Sequence, residues 1–178
     1  LVTILPFLWM LSSPFKGQEA IRTIPIRWIP ERPTLEGYER VFHMQGFSFT
    51  RASLNSLLLA VGCTVAEVAS SAMAAFVFAK LPFKGSGKVF GIYLATMMIP
   101  NTVTMVPNYI ILRSLGLLDT YTGLILPYLG KAFSVFLMRQ SMLGVNDAYL
   151  ESAFLDGASL YRVFWKIMLP MVTPTLAT

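Results

Sequence analysis

The sequence predicts an all-α protein, a polytopic transmembrane helical bundle, on three observations. Of its 178 residues 55% are hydrophobic and only 13% charged, whereas soluble domains carry roughly 25% charged residues, and the mean hydropathy is +0.63. The apolar residues are gathered in runs that reach the ~20 residues needed to cross a bilayer. Those runs are continuous rather than short and alternating, which excludes the strands of a membrane β-barrel.

Composition also excludes function classes. A single cysteine, Cys63, and a single histidine, His43, allow no disulfide framework within the chain and leave little for a zinc site. The net charge of +5 comes without a Lys/Arg-rich tract interleaved with aromatics, so it points to membrane orientation and not to nucleic acid. No metal and no nucleic acid are therefore expected. The chain opens and closes inside apolar sequence, and the expectation is a fragment of a membrane domain, incomplete at both ends, with no assignable signal peptide in "LVTILPFLWMLSSPF".

The elements follow in order. Residues 1–15 read as the end of a membrane helix. Residues 16–51, with four acids, six bases and prolines at 25, 30 and 33, read as an external loop containing a short helix from Leu35 to Val41. From Ala52 to Ala79 the one charge is Glu67, and a transmembrane helix is expected over 52–79. Small residues recur every four positions there, at Gly62, Ala66, Ser70 and Ala74. Such a ridge allows close helix packing, and it is also common in apolar helices at large. The stretch 80–88, "KLPFKGSGK", has three lysines and no acid, and reads as a cytoplasmic turn by lysine density. Further spans are expected over 89–112, which has no charge, and over 120–138, whose one charge is Lys131. Residues 141–170 return to the cytoplasmic side, and 171–178 begin another span.

Four features invite a chemical reading. "PFKGSGKV" looks like a phosphate-binding loop, but Pro82 stands where that motif needs glycine and Val89 where it needs a metal-binding hydroxyl. It is read as a basic turn. "MMIPNTVTMVPNYIIL" repeats Pro-Asn seven residues apart, nearly two helical turns, so that Asn101, Thr104 and Asn108 fall on one stripe. The stripe either lines a hydrated solute path or marks packing kinks. Glu67 and Lys131 each sit inside an apolar run, where an unpaired charge costs at least ~2.5 kcal/mol. They pair with each other, or Lys131 snorkels to an interface.

The fourth is "ESAFLDGASLYRVFWKIMLP", Glu151 to Pro170. Asn146 or Asp147 can cap a short helix to about Leu155, Gly157 can take the left-handed stop, and Ser159 can cap a second helix before Pro170. In that second helix Leu160, Val163, Phe164 and Ile167 form an apolar face, with Arg162 and Lys166 left to water or headgroups. On pattern alone this helix-turn-helix is either a surface linker or a docking element.

The spacing E-x-A, three residues, G, nine residues, I-x-L-P, at Glu151, Ala153, Gly157, Ile167, Leu169 and Pro170, resembles the "EAA" loop of permease subunits in binding-protein-dependent ABC importers. Ser152 replaces the usual alanine, small for small. "DGAS" from Asp156, "PTLEGYERV" from Pro33 and "NSLLLA" from Asn55 resemble the carbohydrate-uptake branch. The resemblance implies an ABC importer permease fold in the cell's inner membrane and a chain that is not itself an enzyme. It implies ATPase coupling through Glu151, Ser152, Ala153, Asp156, Gly157, Ala158, Ile167, Leu169 and Pro170. The implied partners are a second permease subunit, two ATPase subunits that bind ATP and Mg²⁺, an extracytoplasmic substrate-binding protein, a sugar and the lipid bilayer. The alternative is a self-contained channel or ion-coupled secondary transporter in which Glu67 and Lys131 carry the coupling.

Overall fold

Proline and glycine decide where the apolar runs of this chain become separate helices. The computed structural model describes residues 2–17, 21, 28–30, 32–81 and 83–176. Pro25 and neighbouring parts of the expected 16–51 loop, Pro82 of the basic turn, and residues 177–178 lie outside the described residues. Among those described, all regular elements are helical, and the chain divides into two compact units, Leu1–Leu57 and Leu58–Thr178.

In the first unit α1, Leu5–Ser12, starts with Pro6 in its first turn, where the missing N–H leaves no bond unmade. Lys16 is buried, its ammonium 3.8 Å from the centre of the Trp9 ring. Helix α2, Glu36–Phe42, falls where the short helix is expected; the Thr34 hydroxyl accepts the Glu36 N–H at 3.2 Å. The Phe15 and Tyr38 rings hold α2 beside the end of α1, their centres 5.9 Å apart.

Helix α3, Phe49–Lys80, covers the expected 52–79 and runs from the first unit into the second. It is long and apolar enough to cross a membrane, with a mean hydropathy of 1.7 over an 18-residue stretch. Its buried residues, Ser71, Ala72, Ala75 and Phe76, all lie towards the Lys80 end. Ala72, Ala75 and Phe76 share the core of the second unit with Val135, Met138 and Met142 of α7, Ala132–Leu143.

Two of the expected spans are broken into separate helices. Residues 89–112 are not one helix: α4, Ser86–Ala95, continues by a 3-10 turn to Met98, and α5, Asn101–Ser114, departs at 102°. Pro100 disfavours helical backbone at the residue before it, and Ile99 is extended with ψ 115°. Pro107, the second of the pair, remains inside α5. Likewise 120–138 divides into α6, Tyr121–Ile125, with a 3-10 turn to Tyr128, and then α7, bent by 51°. Leu129 is extended and Gly130 has a φ of +57°. Lys131 therefore stands at the head of α7, at the break between the two helices.

The chain ends in α8, Ala148–Leu155, α9, Leu160–Val163, a π turn at Phe164–Met168, α10, Leu169–Met171, and α11, Thr173–Leu176. The sequence placed the end of the second short helix before Pro170, but helical backbone continues through it. Pro170 lacks an N–H for the Lys166 carbonyl and its ring crowds that oxygen. Widening the ladder to a π turn, with the Leu169 N–H bonded to the Phe164 carbonyl, accommodates the ring without a break.

Candidate functional site

The hairpin of α8 and α9 is built from short-range signals. At its start the Asn146 side chain accepts the Ala148 N–H at 3.0 Å. Asp147 holds the cap position without making a cap bond. Leu150 and Ala153, one turn apart, are buried and fix α8 on the core. The helix ends as the Gly157 N–H bonds to the Phe154 carbonyl at 3.0 Å and the Ala158 N–H to the Ala153 carbonyl at 2.9 Å, the paired bonds of a Schellman stop. Gly157 has a φ of +78°, and a β-carbon there would meet open space. Backbone conformation, not crowding, thus selects glycine. Ser159 then caps α9, its hydroxyl accepting the Arg162 N–H at 3.4 Å.

Past the turn Val163, Phe164 and Met168 are buried, and the Phe164 ring centre lies 5.3 Å from that of Phe76 on α3. The apolar face is therefore Val163, Phe164, Ile167 and Met168. Leu160, assigned to it from spacing, is 49% exposed at the first position of α9.

The residues assigned to coupling divide by surroundings. Glu151, Ser152, Asp156, Gly157 and Pro170 are exposed, whereas Ala153 is buried and Ala158, Ile167 and Leu169 are half-buried against the core. Around Gly157 the outer surface is apolar: Leu155 is 89% exposed and Tyr161 74%. Sequence reasoning missed these two because the apolar face of a helix is ordinarily assigned to its own core. It also missed Lys80, read as one lysine of a basic turn. Its ammonium donates to the Val145 carbonyl at 2.7 Å and to the Asp147 carboxylate at 2.5 Å.

Glu67 and Lys131 come together, Nζ to Oε2 3.7 Å. The Ser134 hydroxyl donates to the other Glu67 oxygen at 2.6 Å, and the Lys131 ammonium stands 4.2 Å from the Tyr128 ring centre. Beside them the Gly130 N–H donates to the Ser70 hydroxyl at 2.9 Å, and the Tyr93 hydroxyl donates to the Gly130 carbonyl. The small-residue ridge serves the same junction, for a β-carbon on Gly62 would lie 3.1 Å from Ile125 Cδ1 of α6. Glu67, Ser71 and Ser134 also contribute to the wall of a cavity of about 300 Å³. Asn101, Thr104 and Asn108 share α5; both asparagines are exposed and Thr104 is half-buried, its hydroxyl donating to the Asn101 carbonyl at 3.0 Å.

One apolar helix of membrane-spanning length, two bent pairs of apolar helices and a capped helix-glycine-helix hairpin are the features of an integral membrane protein. Residues 68–178 match the family described as "Binding-protein-dependent transport system inner membrane component", and the chain belongs to that family. Among relatives, a probable ABC transporter permease protein of Bacillus subtilis, YurM, is 35% identical over 97% of this chain and 57% of its own length. The diacetylchitobiose uptake system permease protein NgcG of Streptomyces coelicolor is 31% identical over 99% of this chain and 58% of its own. The arabinooligosaccharides transport system permease protein AraQ of Bacillus subtilis is 34% identical, over 94% and 60%. The chain thus spans less than two thirds of the length of these relatives. It superposes with a TM-score of 0.87 and 26% identity, over 99% of this chain and 62% of the other, on a chain from a crystal structure of a bacterial ABC transporter involved in the import of the acidic polysaccharide alginate.

Proposed function

We propose that this chain is the membrane-spanning subunit of an ATP-driven sugar importer, and that it couples to a separate ATPase through the hairpin from Glu151 to Pro170. One observation carries the reading. The hairpin is fixed on its inner side by Ala153, Val163, Phe164 and Met168, while Leu155, Tyr161 and Leu160 stand exposed around a left-handed glycine. A rigid, capped tip with an apolar outer surface suits insertion into a cleft on a partner, since exposed apolar clusters mark such surfaces. Glu151, Ser152 and Asp156 supply polar groups at its margin.

In this reading the 80–88 turn and the hairpin face the cytoplasm, and α3 and the bent pairs α4–α5 and α6–α7 cross the membrane. The sugar assignment draws on relatives named for diacetylchitobiose and arabinooligosaccharides. A second permease subunit, two ATPases holding ATP and Mg²⁺, and an extracytoplasmic binding protein complete the assembly. Asn101, Thr104 and Asn108 present amide and hydroxyl groups of the kind that hydrogen-bond sugar hydroxyls, and are assigned to the solute path. ATP drives the cycle if the docked ATPases favour one membrane conformation over another, by about 5.5 kcal/mol for a near-complete switch. The test is oligosaccharide uptake into vesicles energised with internal ATP, with residues 156–161 replaced by a flexible glycine-serine segment. Uptake should be abolished with the protein still in the membrane; unchanged ATP-driven uptake would refute the proposal.

A further inference from the structure

The end of α3 and the start of the hairpin are joined by a buried lysine that family resemblance does not bring into view. The Lys80 side chain is only 4% exposed. Its two partners are 65 and 67 residues away in sequence, in the connector between α7 and α8. The Asp147 side chain, by contrast, is 72% exposed, so desolvation did not oblige it to find a cation. Each charge also complements the helix end on which it sits. The ammonium lies at the negative, C-terminal end of α3, and the carboxylate at the positive, N-terminal end of α8. Next to this joint Arg139 of α7 donates from Nε to the Phe78 carbonyl at 3.2 Å, with its guanidinium 4.4 Å from the Phe90 ring centre.

We infer that Lys80 is a positioning residue through which movement of the hairpin reaches α3. The inference rests on the coupling role proposed above. Charge-assisted hydrogen bonds are short and directional, and here two of them, from one ammonium, fix both the connector backbone and the head of α8. Without them α8 keeps the apolar contacts of Leu150 and Ala153, which hold it on the core but do not fix its head to the end of α3. Displacement of the tip would then be dissipated before it reached the longest helix.

The experiment uses the full-length protein assembled with its permease and ATPase partners in proteoliposomes, comparing wild type with Lys80→Met, Lys80→Arg and Asp147→Asn. Two readouts are taken. One is sugar transported per ATP hydrolysed. The other is the distribution of distances between spin labels at Val77 on α3 and Tyr149 on α8, both exposed. Lys80→Met should lower transport per ATP by about fivefold, the low end of usual coupling strengths, and widen the distance distribution, while the ATPases still co-purify. Lys80→Arg, which retains both donors, should restore most of the ratio, and Asp147→Asn, which spares the Val145 bond and changes only an exposed side chain, should fall between. A wild-type ratio and an unbroadened distribution in Lys80→Met would overturn the inference, as would an Asp147→Asn variant equal to wild type should Lys80→Met fail to fold. Wild-type assemblies that show no ATP-driven uptake would contradict the functional proposal instead, and the distance distribution would then decide whether the joint exists.

Discussion

Two residues show how far local chemistry reaches. Gly157 was legible because a glycine flanked by capping residues and short apolar periods has one economical backbone solution, and its φ of +78° is that solution. With open space around it, Gly157→Ala should impose a backbone penalty of about 1 kcal/mol and Gly157→Asn less, since asparagine tolerates that conformation. Hydrogen exchange at Ala158 and ATPase co-purification would check both, and an alanine variant equal to wild type would contradict the account. Glu67 and Lys131 were legible as charges that need a partner in an apolar setting, and the structure puts them 3.7 Å apart. The pair is partly exposed, so its coupling should be modest. A double-mutant cycle with Glu67→Gln and Lys131→Met, read by thermal unfolding in detergent, should give an interaction energy of at least about 0.5 kcal/mol, and simple additivity would contradict the pairing. Lys80 was not legible, because nothing local tells a lysine at a helix end that its partners lie more than 60 residues away.

At the scale of elements, apolarity reports the surrounding medium and proline and glycine report the path of the backbone. Continuous apolar runs identified the long helix now seen as Phe49–Lys80, but the same signal hid the breaks at Ile99–Pro100 and at Gly130. Of two Pro-Asn pairs, Pro100 stands at a helix break and Pro107 lies within a helix, a difference that the shared dipeptide does not encode. The π turn at Phe164–Met168 was likewise invisible. Pro170→Ala restores the missing N–H, so the π turn should relax to regular helix and rotate Val163 and Phe164 relative to Met168. A structure of that variant checks this, and retention of the π turn would mean that core packing rather than proline produces it.

Over the whole molecule, the hairpin motif and the apolar runs together carried the family, and the match over residues 68–178 bears this out. The solute is not written in the same way. A transport path meets its cargo with a few hydroxyl and amide groups, and Asn101, Thr104 and Asn108 are common side chains whose spacing would serve many solutes. The core sits at the end of α3 that carries Lys80 and the hairpin, so the second unit is most firmly packed where force would enter. The rest of α3 and much of α4 and α5 keep large apolar side chains such as Val65, Ile92 and Met105 exposed, as surfaces that meet lipid or other subunits do. The measurement that tests the central claim most directly is cysteine cross-linking from Leu155→Cys, at the tip, to the ATPase in native membranes, with Ile92→Cys as the control. A cross-link from residue 155 that forms with the ATPase and changes on nucleotide binding, with none from residue 92, is the predicted result. Reaction of residue 155 with a membrane-impermeant thiol reagent added outside intact cells, without any cross-link to the ATPase, would contradict it.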